Sequence, residues 1–230
     1  MGAYENYLRV RSQVEQCAKE CGRDPQSVRL IAVSKTVGPD QVKDAIRAGA
    51  ADFGENRPDV LTEKTNAIEG QTWHFIGNIQ SRKIPQIVAS ADLIHSLYQL
   101  SHAQKIDAAA SGLGKVQKVL VEVNVSGEES KSGCTPEEAA GLVLACSALE
   151  HVQVCGLMTM APIGNPETAF EVFSGLASLR QDILAVLDPQ KACYFNELSM
   201  GMSQDWPQAV AAGATMVRIG RAIFSDGFAG

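Results

Sequence analysis

Eight short, β-rich apolar runs alternate with longer amphipathic stretches through nearly the whole chain, and this alternation limits the fold more than any other feature. The runs fall at residues 29–34, 51–54, 72–76, 93–96, 117–124, 152–159, 192–198 and 215–219. Most are continuously apolar instead of alternating, as strands covered on both faces tend to be. Strands separated by helices imply a parallel sheet with helices outside it. Two α/β architectures meet that description, an open doubly wound sheet and a closed (β/α)8 TIM barrel. Composition does not shift between the halves, and 230 residues lies within the range of the barrel. No G-x-G-x-x-G follows the first run, which counts against a dinucleotide-binding sheet. The expected fold is a single (β/α)8 TIM barrel over residues 1–230, with an extra N-terminal helix at roughly residues 4–21.

Local signals agree with this outline. Thr135, Pro136 and Glu138 mark a helix start, with a threonine N-cap, a proline in the first turn and a capping-box glutamate. A longer pattern over residues 167–187 spaces Phe170, Phe173, Leu176, Leu179, Ile183 and Val186 for one helix face. Asp188-Pro189 is expected to end it.

A net charge of −6 provides no basic surface for nucleic acid or an anionic membrane. The opening residues lack a basic start followed by an apolar run, and no stretch reaches the length of a membrane span. A cytoplasmic protein is therefore expected. Cys17, Cys21, Cys134, Cys146, Cys155 and Cys193 form no C-x-x-C pair, and the four histidines lack zinc-ligand spacing. Reduced structural thiols and no metal site are the expectation, in keeping with a reducing compartment.

Barrels of this kind gather functional residues at the C-terminal ends of their strands. Those ends carry Lys35, Asn56, His74, Ser96, Asn124, Thr159, Ser199 and Arg218, a polar ring in an apolar pattern. Each also has a bland reading. A lone lysine at a strand end is usually solvated, His74 reads as a satisfied core histidine, Asn56 as a helix cap, and the methionines as filler. The turns after the seventh and eighth runs weigh more. Ser199, Gly201 and Ser203 in one, and Gly220 in the other, offer small side chains and approachable backbone where such barrels commonly bind phosphate. Closure of the sheet would make the first and eighth strands neighbours, so that Lys35 and Arg218 meet beside that phosphate. An amine next to a bound phosphate points to a phosphate-bearing aldehyde held as an imine. Burial at the mouth and the charge of Arg218 would keep the amine uncharged and nucleophilic.

The same residues sit in a series of motifs from about residue 4 to 224. They are Ala32-Val33-Ser34-Lys35-Thr36, Phe53-Gly54-Glu55-Asn56, His74-Phe75-Ile76-Gly77, and Asn124-Val125-Ser126-Gly127-Glu128 with Lys131-Ser132-Gly133. Gly156-Leu157-Met158, Leu198-Ser199-Met200-Gly201-Met202-Ser203 and Val217-Arg218-Ile219-Gly220 follow. Through them the chain closely resembles the pyridoxal-phosphate homeostasis proteins, single-domain relatives of the N-terminal barrel of alanine racemases. The resemblance implies pyridoxal 5′-phosphate as cofactor and Lys35 as its Schiff-base lysine. It puts Asn56 near the ring substituents and Arg218 opposite the pyridine nitrogen. Ser199, Met202 and the turn from Arg218 to Gly220 would surround the phosphate, and His74 and Gly201 complete the implied set. Some positions depart from the family pattern. Arg57-Pro58-Asp59 replaces an aromatic residue and a Gln-Glu pair, Arg82-Lys83 stands where Asn-Lys is usual, and Phe224 precedes Ser225 where a glycine is usual. These changes touch the rim, not the anchoring positions.

The implied role is to hold, buffer and release the cofactor in vitamin B6 homeostasis, without dedicated turnover. A fixed positive charge at the ring nitrogen disfavours a second one there and leaves the ring a poor electron sink. Three other readings share parts of this site. A PLP-dependent amino-acid racemase would need a second proton-transfer group on the far face of the cofactor. None of Tyr4, Tyr7, Tyr98 and Tyr194 is expected at the mouth, and the sequence given ends straight after the barrel. A cofactor-free lysine aldolase would bind a sugar phosphate instead, and a regulatory module would use the cofactor as a signal to another protein. Partners implied by the resemblance are PLP, PLP-dependent apo-enzymes and amino acids, for a monomer or weak homodimer.

Overall fold

The computed structural model describes residues 2–225. Met1 and residues 226–230, part of the single domain expected over 1–230, lie outside the described residues. The chain opens with helix α1 (Ala3–Glu20), then β1 (Arg29–Val33), α2 (Pro39–Arg47), β2 (Asp52–Glu55), α3 (Pro58–Ala67) and β3 (Thr72–Phe75). A 3-10 turn (Ser81–Lys83) leads to α4 (Ile84–Ser90), β4 (Leu93–Leu97), α5 (Leu100–Gly112), β5 (Gln117–Glu122), α6 (Pro136–Ser147) and β6 (Val152–Met158). The last part comprises α7 (Pro166–Leu184), α8 (Pro189–Ala192), β7 (Glu197–Ser199), α9 (Trp206–Ala211), β8 (Met216–Ile219) and α10 (Arg221–Phe224).

All eight strands pair in parallel and in sequence order, and β8 pairs with β1 to close the barrel. The register Ile31↔Arg218 and Ala32↔Ile219 makes the ends of β1 and β8 neighbours, as closure requires. Strand residues alternate between two apolar layers. Ala32, Phe53, Phe75, Ile94, Val121, Leu157 and Val217 belong to the large cluster under the helices. Ile31, Leu93, Leu120, Cys155, Met158 and Met216 form a second, smaller cluster inside the barrel. Alternate inward positions of this second layer are polar, and they matter below.

Helix α1 buries Tyr7, Val10, Val14 and Ala18, one face at helical spacing, with Glu5 in its first turn and Lys19 in its last to complement the dipole. It packs on α2, α9 and α10. Asn6 Nδ2 donates to the carbonyl of Ile223 at 3.2 Å and Arg9 to that of Ala222 at 3.1 Å. The extra helix thus thickens the outer layer at the β8–β1 seam, where α9 and α10 are short. Both arms of the Thr135–Glu138 capping box are present.

Two local expectations are corrected. The seventh strand begins at Glu197, not residue 192, because Asp188-Pro189 starts a helical turn as well as ending α7. The Asp188 side chain accepts from Gln190 N at 2.8 Å, with Pro189 in the first turn. In α7 the buried face is Ala169, Val172, Phe173, Leu176 and Ile183. Phe170 lies on the flank of that stripe and Val186 beyond the helix, and both are exposed. Six cysteines are free, and no group among the described residues has the ligands for a metal ion. No helix among the described residues is long and apolar enough to cross a membrane.

Candidate functional site

A cavity of about 610 Å³ opens at the C-terminal mouth of the barrel. Of the residues singled out from the sequence, Lys35, Asn56, Met202, Arg218 and Gly220 line it, together with Ser203. Val33, Ile76, Met158 and Met160 give it apolar walls. His74, Ser199 and Gly201 do not line it; they are buried beneath its floor.

Lys35 lies two residues beyond the end of β1 and is exposed, where burial at the mouth was expected. Asn56 directly follows β2 and is also exposed. Gly77 holds it from behind, since a Cβ there would stand 2.1 Å from the Asn56 carbonyl oxygen. Gly220 is equally constrained, because its Cβ would come within 2.9 Å of the Val33 carbonyl oxygen. The ends of β8 and β1 can approach this closely only with glycine at that place.

The turn after β7 is built from two devices. Gly201 adopts φ +89, a left-handed conformation, and a Cβ there would also meet Ala209 at 2.6 Å. Asp205 Oδ1 then accepts from Met202 N at 2.5 Å while Asp205 N donates back to the Met202 carbonyl at 3.2 Å. This closes a turn with Ser203 and Gln204 at its centre. Both residues line the cavity. Burial pushes the Asp205 carboxyl up, against the bond from Met202 N and the charge of Arg218.

Arg218 is only 4% exposed. Its guanidinium donates to Ser199 Oγ at 2.6 Å and to the Thr159 carbonyl at 3.0 Å. Burial lowers its pKa to about 10, with Asp205 and Glu122 acting in the opposite direction, so it stays charged at neutral pH. Glu122, at the end of β5, is pushed up to about 7 by burial while Arg218 pulls it down, and its Oε2 has no hydrogen-bond partner.

Beneath Arg218 a chain of polar side chains descends through the barrel. Ser199 Oγ lies 2.9 Å from His95 Nδ1, His95 Nε2 lies 2.9 Å from His74 Nδ1, and His74 Nε2 lies 3.0 Å from Asp52 Oδ1. Two neutral imidazoles satisfy every link in one sense. Arg218 donates to Ser199, Ser199 to His95, His95 to His74, and His74 to the Asp52 carboxylate. Burial first, then His74 and Arg218, holds His95 well below its ordinary pKa and keeps it neutral. Asp52 also faces Arg29 at 3.8 Å at the opposite end of the strands. His74 therefore has the core role weighed for it from the sequence and touches the cavity only through this chain. His95, Glu122 and Asp205 were not among the candidates. The available signal for His95 was its inward position on the strand next to His74.

A closed barrel with an amine, a buried arginine and glycine turns at one mouth is of the alanine racemase N-terminal type: residues 7–227 match the family model described as "Alanine racemase, N-terminal domain". The pyridoxal phosphate homeostasis protein of Aquifex aeolicus is 36% identical over 229 residues, 98% of this chain and 99% of its own. The chain belongs to the family of pyridoxal phosphate homeostasis proteins. Solved structures agree. An unknown protein from Bifidobacterium adolescentis superposes with a TM-score of 0.91 at 35% identity, covering 96% of this chain and 94% of that one. PipY of Synechococcus elongatus, solved with PLP bound, gives 0.82 at 32% identity, covering 97% and 100%.

Proposed function

We propose that this protein binds pyridoxal 5′-phosphate, keeps it covalently through Lys35, and serves intracellular vitamin B6 homeostasis as a carrier. The observation that carries the reading is the convergence on one cavity of the Lys35 amine, the buried Arg218 and the Ser203–Gln204 and Gly220 turns. The names of its relatives and the PLP-bound PipY structure support it. When bound, the cofactor supplies an aldehyde that a primary amine captures reversibly. The chain's residues do the rest. Backbone N–H groups of Ser203 and Gln204 donate to the phosphate oxygens, with Gly220 leaving room for the group. The apolar walls hold the ring and exclude water. Arg218, fixed by Ser199 and Thr159, presents a permanent positive charge to the ring nitrogen and keeps a proton off it.

The phosphate grip is the direct test. Pyridoxal, which lacks the phosphate, is expected to bind about 2–4 kcal/mol more weakly than its phosphate ester, as several charge-assisted hydrogen bonds are lost. Equilibrium titration of both compounds checks this. Near-equal affinities would make the two turns ordinary turns and remove the basis of the reading.

Efficient racemisation is not expected. Inversion needs a base on one face of the substrate and an acid on the other. Lys35 is the one amine among the described residues lining the cavity, and the Asp205 carboxyl is engaged with Met202 N. Tyr4 and Tyr7 lie in α1, Tyr98 packs on His102, and Tyr194 is exposed before β7; none lines the cavity. Incubation with L-alanine in deuterated water should give no D-alanine at enzymatic rates. Deuterated D-alanine produced with sustained turnover would overturn the carrier reading.

A further inference from the structure

Directly behind the cavity, on the outer side of the barrel, three polar side chains are buried together. Lys64 of α3 is 3% exposed, and Glu55 and Ser34 are fully enclosed. Lys64 Nζ donates to the Ser34 carbonyl at 2.7 Å and to Glu55 Oε1 at 2.5 Å, and Ser34 Oγ donates to the same Glu55 oxygen at 2.6 Å. Ser34 and Glu55 are the residues immediately before Lys35 and Asn56. We propose that the Lys64–Glu55–Ser34 cluster is a positioning unit that aims the Lys35 amine and the Asn56 side chain at the bound cofactor. This rests on the reading of Lys35 as the covalent anchor.

The geometry is specific to that task. The Ser34 carbonyl belongs to the peptide unit that carries the Lys35 N–H. A charge-assisted bond to it fixes that peptide plane, and with it the direction in which the Lys35 side chain leaves the backbone. Val37 N donates to the same oxygen at 3.1 Å, so the corner around Lys35 is pinned from both sides. Glu55 transmits the constraint to the second strand. Ile76 N donates to the Glu55 carbonyl at 2.8 Å, and Gly77 packs against the Asn56 backbone. Lys35 and Asn56 are themselves exposed, so their own side chains gain little orientation from packing.

Stability alone is a weak reason for the cluster. Buried ion pairs are often matched or bettered by apolar residues of similar volume. Glu55 Oε2 is moreover buried without a partner, a cost that simple packing does not explain.

The test is a double variant, Glu55→Leu with Lys64→Met, measured with two ligands. Pyridoxal 5′-phosphate can link to Lys35; its alcohol analogue, pyridoxine 5′-phosphate, cannot. The variant is expected to unfold at the same temperature as the parent or higher, and to bind the alcohol with only the small loss that a less well placed Asn56 brings, well below the loss for the aldehyde. Its affinity for the aldehyde should fall about tenfold, with a matching drop in the fraction fixed by borohydride, because a misaimed amine forms the link less favourably. Equal, undiminished linkage in parent and variant would overturn the proposal while leaving the carrier reading intact. Equal losses for both ligands would also overturn it, since that is general damage. If the double variant does not fold, Ser34→Ala decides by the same comparison, with a smaller but still aldehyde-selective loss expected. Absence of any linkage in the parent protein would remove the reading and the proposal together.

Discussion

Lys35→Ala is expected to abolish covalent retention of pyridoxal 5′-phosphate completely while leaving weak, reversible binding. No other lysine lines the cavity among the described residues. Lys64 is locked in its buried pair, and Lys131 is turned to Glu128 and the Met160 carbonyl. Lys83 lies in the 3-10 turn after β3 and donates to Gln86. Borohydride reduction followed by peptide mapping should therefore place the pyridoxyl mass on Lys35 in the parent and nowhere in the variant. The residual binding should depend on phosphate, because the turns after β7 and β8 are untouched. Recovery of the label on Lys83 or Lys131 in the parent would end the assignment.

Arg218→Glu is expected to destabilise the protein by about 3–5 kcal/mol, the range found when one partner of a buried charge cluster is removed. The substitution deletes both bonds of the guanidinium and leaves a carboxylate near Glu122, whose own Oε2 is unsatisfied. At this chain length the midpoint of thermal unfolding should fall by about 10 °C. The deficit should be smaller at pH 5 than at pH 8. Without Arg218 to pull it down, the Glu122 carboxyl is pushed up beyond about 7, so the variant bears a growing cost for ionising it as pH rises from the ordinary carboxylate range through that value, while at pH 5 the group is protonated and uncharged. Where the variant still binds cofactor, the ring nitrogen should become protonated and the absorption of the bound cofactor should change. An unfolding midpoint within about 2 °C of the parent would mean that Arg218 does not compensate the surrounding carboxylates.

The eight strands were legible because continuous apolar runs and helical patterns alternate without interruption, and the closure of the sheet followed from their number. The meeting of Lys35 with Arg218 depends only on that closure and on both lying at C-terminal strand ends, so it too was readable. What escaped depends on side-chain direction. Ser199 was read as a phosphate donor, yet it faces inward and is used by Arg218 and His95. Met202 was expected at the phosphate; it reaches the cavity, but its N–H is taken by Asp205, a bond that spacing alone does not reveal. Lys64 was not among the candidates. Its burial becomes visible only when α3 is laid against the ends of β1 and β2. The departure at Arg57-Pro58-Asp59 is accommodated locally: α3 begins at Pro58, where a helix tolerates proline, while Arg57 and Asp59 pair with each other at the exposed rim.

The side-chain column from Asp52 to Arg218 has a consequence for how this barrel tolerates change. In such folds the C-terminal face ordinarily carries function and the opposite face stability, and the two drift separately. Here one file of hydrogen bonds spans the interior, and the last acceptor sits beside Arg29 at the far end. Substituting Asp52 would free His74 to reverse its donor and acceptor nitrogens, and the reversal would pass through His95 to the hydroxyl that holds Arg218. Asp52, at the other end of the strands, is thus tied through His74, His95 and Ser199 to the arginine that lines the cavity.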